Sequence, residues 1–323
     1  MIVDYRLFYC SFAKAFITIK NNQTPDSFQF MTFRYTNHLF LFLMLVLAAG
    51  CGNHSNTSGT KPTITVSILP QKYIVGQISG NTLNINVLIP EDANHETYEP
   101  TAKQMVETSG SHIYFKLGHL DFEKSWLSKV AETNPQMKII DTSEGIELLT
   151  GESHNHGDHQ HSGADPHIWL SVSAVRQQAL NIRKGLIEAF PDDSAIFNSN
   201  YKHFLIRLDS LDFSIRQMLE TLPSRSFMIY HPALGYFARD YNLNQISIEQ
   251  DGKEPGTADL KNLIDLAKSE GIKTVFVSSQ FSTQSAATLA AQIGARVEQF
   301  NPSAANWPEN MLLIARKLAH SYQ

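Results

Sequence analysis

Cysteine is nearly absent: the 323 residues hold two, Cys10 and Cys51. Both lie in or beside a leader segment, so no structural disulfide is expected between them. Positive charge is also scarce. The formal charge is −5 and the Lys and Arg residues are scattered rather than clustered, which argues against nucleic acid as a partner. The apolar run at 39–49 falls short of the roughly 20 residues that a helix needs to span a bilayer. There is no H-E-x-x-H helix and no G-x-S-x-G elbow, two hydrolase signatures. What is present is 42% hydrophobic and 18% charged residues, the balance of a soluble globular protein with sizeable cores. The length allows about two domains.

The run LFLFLMLVLAA (39–49), with Arg34 as its positive flank, fits the core of a signal peptide. It closes on LAAGC, which resembles the lipobox of bacterial lipoproteins, where the cysteine is lipidated and becomes the first mature residue. Ala48 departs from that pattern, which usually has Leu three positions before the cysteine. An uncleaved anchor is the alternative. Met31 makes a better start than Met1, since MTFRYTNHLFLF gives a normal leader, and residues 1–30 read as an over-extended reading frame. Residues 1–51 are thus the leader. Residues 52–61, polar and rich in Gly, Ser and Asn, are a flexible tether. The folded part is expected outside the cytoplasmic membrane, lipid-anchored through Cys51.

Beyond Lys61, the short β-branched and apolar runs TITVSILP, NINVLIP, HIYFKLG and QMKIIDT read as strands. The helical stretches TAKQMVETS and DFEKSWLSKVAET lie between them, the second with Asp121 as N-cap. This alternation predicts an N-terminal α/β lobe over 62–172 with a mainly parallel sheet. Residues 173–222 read as a helical connection. Its long helix, about 192–222, carries Ile196, Phe197, Tyr201, Phe204, Leu208, Leu211, Ile215, Met218 and Leu222 at helical spacing. Strand–helix alternation resumes over 223–323 as a C-terminal α/β lobe, with strands at SFMIYHP, QISIEQ, KTVFVSSQF and ARVEQFNP. The expected architecture is two α/β lobes, each a mainly parallel sheet flanked by helices, bridged by one long helix.

Two features point to metal chemistry. HNHGDHQH places His154, His156, His159 and His161 in a polar loop (151–164) without apolar periodicity, and imidazole is a common ligand for borderline-soft divalent ions. An accidental polar loop is the bland alternative. In addition, His95, His167, His231 and Asn301 each stand at the end of an expected strand or just after it. Ligands of open α/β sheets bind beyond the carboxyl ends of strands, so two facing lobes would form a cleft with donors from both sides. Any one of these histidines alone is more often a packed residue than a ligand. His112, His119, His203 and His320 are read as structural or surface residues.

NHETYEPTAKQM, ADPHIWLSV, YHPALGYFARDY and EPGTADLKNLIDLAKSEGIKTVFVSSQFS, in that order, resemble the zinc/manganese solute-binding proteins of ABC transporters over about residues 62–320. The resemblance implies two lobes bridged by a long helix, a lipid anchor in many members, and a His-rich loop just before the DPHxW segment. It makes His167 and His231 metal ligands, and histidine rather than carboxylate at 231 favours Zn2+ over Mn2+. Counting back from Tyr98 puts Glu96 at the family's first ligand position, with His95 beside it. His95 is the expected ligand and Glu96 its partner or substitute. Asn301 stands where many relatives carry aspartate, and Ser278 where many carry glutamate. A neutral amide is a poor zinc ligand, so water or a loop imidazole is the alternative fourth donor.

The expectation is therefore a monomeric, non-enzymatic protein that captures Zn2+ outside the cytoplasmic membrane and delivers it to an ABC-transporter permease, with the His loop collecting zinc weakly and passing it inward. The alternatives are a zinc-dependent hydrolase, since three protein ligands plus water is also a catalytic arrangement, and a metal-binding adhesin lipoprotein.

Overall fold

Strand–helix alternation produces two four-stranded sheets in which every pairing is parallel. The structure, a computed structural model, describes residues 61–150, 163–249 and 253–322. The leader, Cys51 and the HNHGDHQH run lie outside the described residues.

The first lobe contains β1 (Thr63–Val66), α1 (Leu69–Ser79), β2 (Asn84–Val87), α2 (Ala102–Ser109), β3 (Ile113–Lys116), α3 (Asp121–Thr133) and β4 (Lys138–Asp141). A short 3-10 turn (Ile168–Leu170) leads to α4 (Val172–Ala189) and, after a second turn, α5 (Ser194–Leu219). The second lobe contains β5 (Ser226–Ile229), α6 (Gly235–Asp240), β6 (Asn244–Ser247), α7 (Thr257–Ser269), β7 (Thr274–Ser278), α8 (Gln284–Ile293), β8 (Arg296–Phe300) and α9 (Trp307–Ala319).

Both sheets have the same spatial order, β2-β1-β3-β4 and β6-β5-β7-β8. In each, the chain leaves the first strand toward one edge and returns on the other side, which opens a crevice beyond the carboxyl ends of the two central strands. In the first lobe that crevice is plugged. Glu123, in the first turn of α3, is buried there and accepts from the Leu117 and Gly118 N–H groups at 2.8 and 2.7 Å and from the Ser67 hydroxyl.

The sequence expectation differs from the structure at several ends. TITVSILP is strand only to Val66, and α1 begins at Leu69 with Pro70 in its first turn. Proline fits there because that N–H has no intrahelical partner. Asp121 is the first helical residue rather than the cap, which is Leu120, and its charge still complements the helix N-terminus. The bridging helix α5 has 26 residues, about 39 Å at 1.5 Å per residue. Phe197, Phe204, Leu208, Leu211, Ile215 and Leu219 form its buried stripe, while Ile196 is exposed. Each such burial stabilises by roughly 1.5–3 kcal/mol.

One apolar core runs through both sheets. It joins Ile64, Val66 and Phe115 of the first lobe, Val175 and Phe204 of the bridging helices, and Phe227, Ile229, Phe276, Trp307 and Met311 of the second. Alternate residues of the second sheet, Met228, Tyr230, Val275 and Val277, face a separate cluster under α7 and α8, as the period of two in a strand requires. The indoles fasten the seam: Trp169 Nε1 donates to the Pro302 carbonyl at 2.8 Å, and Trp307 Nε1 to the Trp169 carbonyl at 2.7 Å.

Candidate metal centre

Three histidines distant in sequence meet between the lobes. His95 comes from the loop after β2, His167 from the residue before the 3-10 turn, and His231 from two residues past β5, on the open crevice of the second sheet. All three are buried, at 1%, 2% and 8% exposure, so their polar atoms need partners.

Each imidazole has a fixed outer partner on Nδ1. His167 Nδ1 lies 2.7 Å from Asp165 Oδ1, which also accepts the His167 main-chain N–H at 2.9 Å. His231 Nδ1 lies 2.8 Å from Glu249 Oε2, and its ring stacks on Phe281 with centroids 4.8 Å apart. His95 Nδ1 lies 3.3 Å from Gln280 Oε1, and its ring stands edge-on to Trp169. Ionised carboxylates only accept, so Nδ1 of His167 and of His231 is the donor and Nε2 of each faces inward.

Inward, His95 Nε2 and His167 Nε2 are 3.1 Å apart. The donor atoms of His95, Glu96 and His167 all lie within 4.8 Å of one another. His231 adjoins this group: its Nε2 is 3.2 Å from Glu96 Oε1, and its ring centroid is 5.3 Å from that of His167. The His231–Glu96 approach is an ion-pair distance without hydrogen-bond geometry, so His231 Nε2 is buried without a hydrogen-bond partner. A buried nitrogen without a hydrogen-bond partner, facing a carboxylate and two imidazoles, suits a donor set for a cation.

The electrostatics agree. Burial and the neighbouring His167 push the His95 pKa down to about 3, which keeps that ring neutral. For Glu96, burial works toward protonation, but contact with His231 and the electrostatic influence of the neighbouring imidazoles outweigh it and hold the carboxyl at about 2. For His231, burial opposes the charge, yet Glu249 and Glu96 together raise it to about 9. Glu96 is therefore ionised against a protonated His231.

Asn301, expected as a further donor, has other partners. Its Oδ1 accepts from the Ser303 N–H at 2.8 Å and its Nδ2 donates to Glu91 Oε1 at 3.3 Å. The side chain thus ties the second lobe to the loop that carries His95. Ser278 is buried at the end of β7. Of the histidines set aside, His112, His203 and His320 are exposed, and His119 lies 3.3 Å from Ser143 Oγ. Thr150 and Ala164, which flank the undescribed His-rich stretch, pair in an antiparallel bridge beside Asp165.

The sequence reading missed Asp165, Glu249 and Gln280. For Glu249 a signal exists: β5 and β6 pair with Ile229 opposite Ser247, so two residues further on His231 stands opposite Glu249.

Tyr236 and Gly235 position the Asp165 segment. Tyr236 Oη donates to the Asp165 carbonyl at 2.8 Å and accepts from the Leu149 N–H at 3.1 Å. A Cβ on Gly235 would meet Asp165 Oδ2 at 3.0 Å, so glycine lets α6 approach the carboxylate that orients His167.

Residues 64–320 match the family described as ZnuA, zinc-uptake complex component A, periplasmic. The chain is 28% identical over 271 residues to the high-affinity zinc uptake system protein ZnuA of Bacillus subtilis, covering 79% of this chain and 84% of that protein. It is 27% identical to the zinc-binding lipoprotein AdcA of Streptococcus pneumoniae over 82% of this chain and 54% of AdcA, so it spans about half the length of that relative. A crystal structure of ZnuA superposes with a TM-score of 0.75 at 42% identity, covering 81% of this chain and 99% of the other. A 138–173 deletion mutant of ZnuA with zinc bound superposes at 0.76, also at 42% identity, over 81% of this chain and 98% of the other.

Proposed function

The chain belongs to this family of zinc-uptake components, the extracytoplasmic solute-binding proteins that serve ABC permeases, and on that premise we propose that His95, Glu96, His167 and His231 are the donors that hold its cargo. The chain captures Zn2+ outside the cytoplasmic membrane for uptake. The observation that carries the donor assignment is the 3.1 Å approach of His95 Nε2 to His167 Nε2. Tetrahedral zinc with Zn–N bonds of about 2.0–2.1 Å keeps its ligands about 3.3–3.4 Å apart, close to the spacing already present. Three imidazoles and one carboxylate suit zinc better than harder, oxygen-preferring ions. Asn301 is left out of the set because its amide is engaged elsewhere.

The site is read as a carrier rather than a catalyst. Asp165 and Glu249 are each committed to an imidazole, and Glu96 is assigned to the metal, which leaves no carboxylate among these as a general base for bound water. Among the described residues no helix is long and apolar enough to cross a membrane. Attachment is assigned to a lipid on Cys51, and the working unit to the monomer. The loop with His154, His156, His159 and His161 is assigned to weak zinc collection, supported by the Thr150–Ala164 bridge that roots it beside the site.

Zinc titration against a competing chelator tests both assignments. Four donors sharing roughly 10–16 kcal/mol give each about 3 kcal/mol, so His231→Ala and His167→Ala should each weaken binding about 100-fold or more. Removing 154–161 should lower stoichiometry or slow capture and leave the tight site. Wild-type affinity in His231→Ala would refute the donor set, and loss of the tight site on loop removal would refute the division of labour.

A further inference from the structure

His95 differs from the other two imidazoles in what holds it. His167 and His231 each lean on a carboxylate from their own lobe. His95 leans on a neutral amide, Gln280, which follows β7 by two residues and belongs to the opposite lobe.

The orientation of that amide follows from its other contacts. Gln280 Nε2 lies 3.3 Å from the Glu91 main-chain oxygen and 3.1 Å from Ser303 Oγ. A carbonyl only accepts, so the end facing Glu91 is the NH2 group, and the oxygen faces His95 Nδ1. An amide oxygen also only accepts, so Nδ1 carries the ring proton. A neutral imidazole has a single N–H, which leaves the lone pair on Nε2, the atom aimed at His167. Were the proton on Nε2, His95 would present a donor to the cation.

We propose that Gln280 is a positioning residue that fixes the metal-binding tautomer of His95 across the cleft, so that the His95 lone pair is presented to zinc while the amide stays in reach of Nδ1. A slight shift at the rim that draws the amide off His95 frees the ring proton to move to Nε2, and the grip on the ion loosens. The inference rests on the zinc reading above.

The test uses 15N-histidine NMR on the metal-free full chain, followed by zinc binding and chelator-triggered release. In the wild type, His95 should be in the Nδ1–H form. In Gln280→Leu, which keeps the bulk and removes the acceptor, the Nε2–H form should appear, while His167 and His231 keep their Nδ1–H forms. Gln280→Ser, too short to reach, should behave alike if the leucine variant folds poorly. Gln280→Glu loses the bond to Glu91 but keeps an acceptor, and should retain the Nδ1–H form. A merely structural amide would be lost equally in all three. Zinc affinity should fall 10–100-fold in the leucine variant, through faster release. An unchanged His95 tautomer in Gln280→Leu, or wild-type zinc release despite a changed tautomer, overturns the proposal. If the wild type bound no zinc, the functional reading would fail, while the metal-free tautomer comparison would still decide the role of Gln280.

Discussion

His95 Nε2 and His167 Nε2 stand 3.1 Å apart although 72 residues separate them in the chain. Both rings meet an outer acceptor through Nδ1, so their Nε2 lone pairs aim at each other, a repulsive arrangement unless a proton or a metal ion lies between. The protons and outer partners of these rings therefore determine how a cation binds here.

Zinc binding should expel a proton. With His231 raised to about 9, the ring is charged at neutral pH and must be deprotonated to ligate. Zinc affinity should therefore rise about tenfold per pH unit up to about pH 9 and then level off. His95, already neutral above about pH 3, adds no such slope in this range. The signs for folding of the metal-free protein follow from the same values. The raised His231 pKa stabilises below the ordinary imidazole value, and this is lost as pH rises through about 9. The lowered His95 pKa destabilises as pH falls from the imidazole range toward about 3. Calorimetric titration in buffers of different ionisation enthalpy counts the proton, and a count of zero near neutrality would refute the assignment.

Gly235→Ala should weaken zinc binding without touching a ligand. The new methyl group would stand 3.0 Å from Asp165 Oδ2 and 3.2 Å from Leu149 Cδ1, and Asp165 orients His167. Overpacking of this kind costs about 1–3 kcal/mol, and a displaced outer partner costs about 10–100-fold in metal affinity. Chelator competition and a thermal melt read the two effects; intact affinity would mean that the Asp165 position is not critical.

Glu123→Gln should flatten the pH dependence of stability. Burial pushes the Glu123 carboxyl up to about 7, against the lowering effects of Ser67, the Leu117 and Gly118 N–H groups and Lys116. A carboxyl raised on folding stabilises at acidic pH, and that contribution is lost as pH rises through about 7, by about 3 kcal/mol at 1.36 kcal/mol per pKa unit. Glutamine cannot accept both main-chain N–H groups, so the variant should lose about 1–3 kcal/mol at acidic pH and show little further loss above neutrality. Urea unfolding at acidic and alkaline pH distinguishes the two curves.

The architecture was legible because its strands are short β-branched runs and its helices carry polar punctuation. Helix α1 was not: Pro70 reads equally as the end of a strand or the start of a helix, and most of the helix is buried, which blurs its polar face. His95, His167 and His231 were legible as side chains at strand ends. Their partners Asp165, Glu249 and Gln280 were not, because an outer partner is defined by register and lobe contact rather than by local pattern. Asn301 was assigned by its place after β8; its partner Glu91, 210 residues away, has no local signal.

The uninterrupted apolar interior has a further consequence. A wide jaw-like swing of one sheet away from the other would wet Phe227, Phe276 and Trp307 together, so zinc loading is expected to act through slight shifts near the rim. A permease that tells a loaded carrier from an empty one would then have to sense the few side chains around the ion.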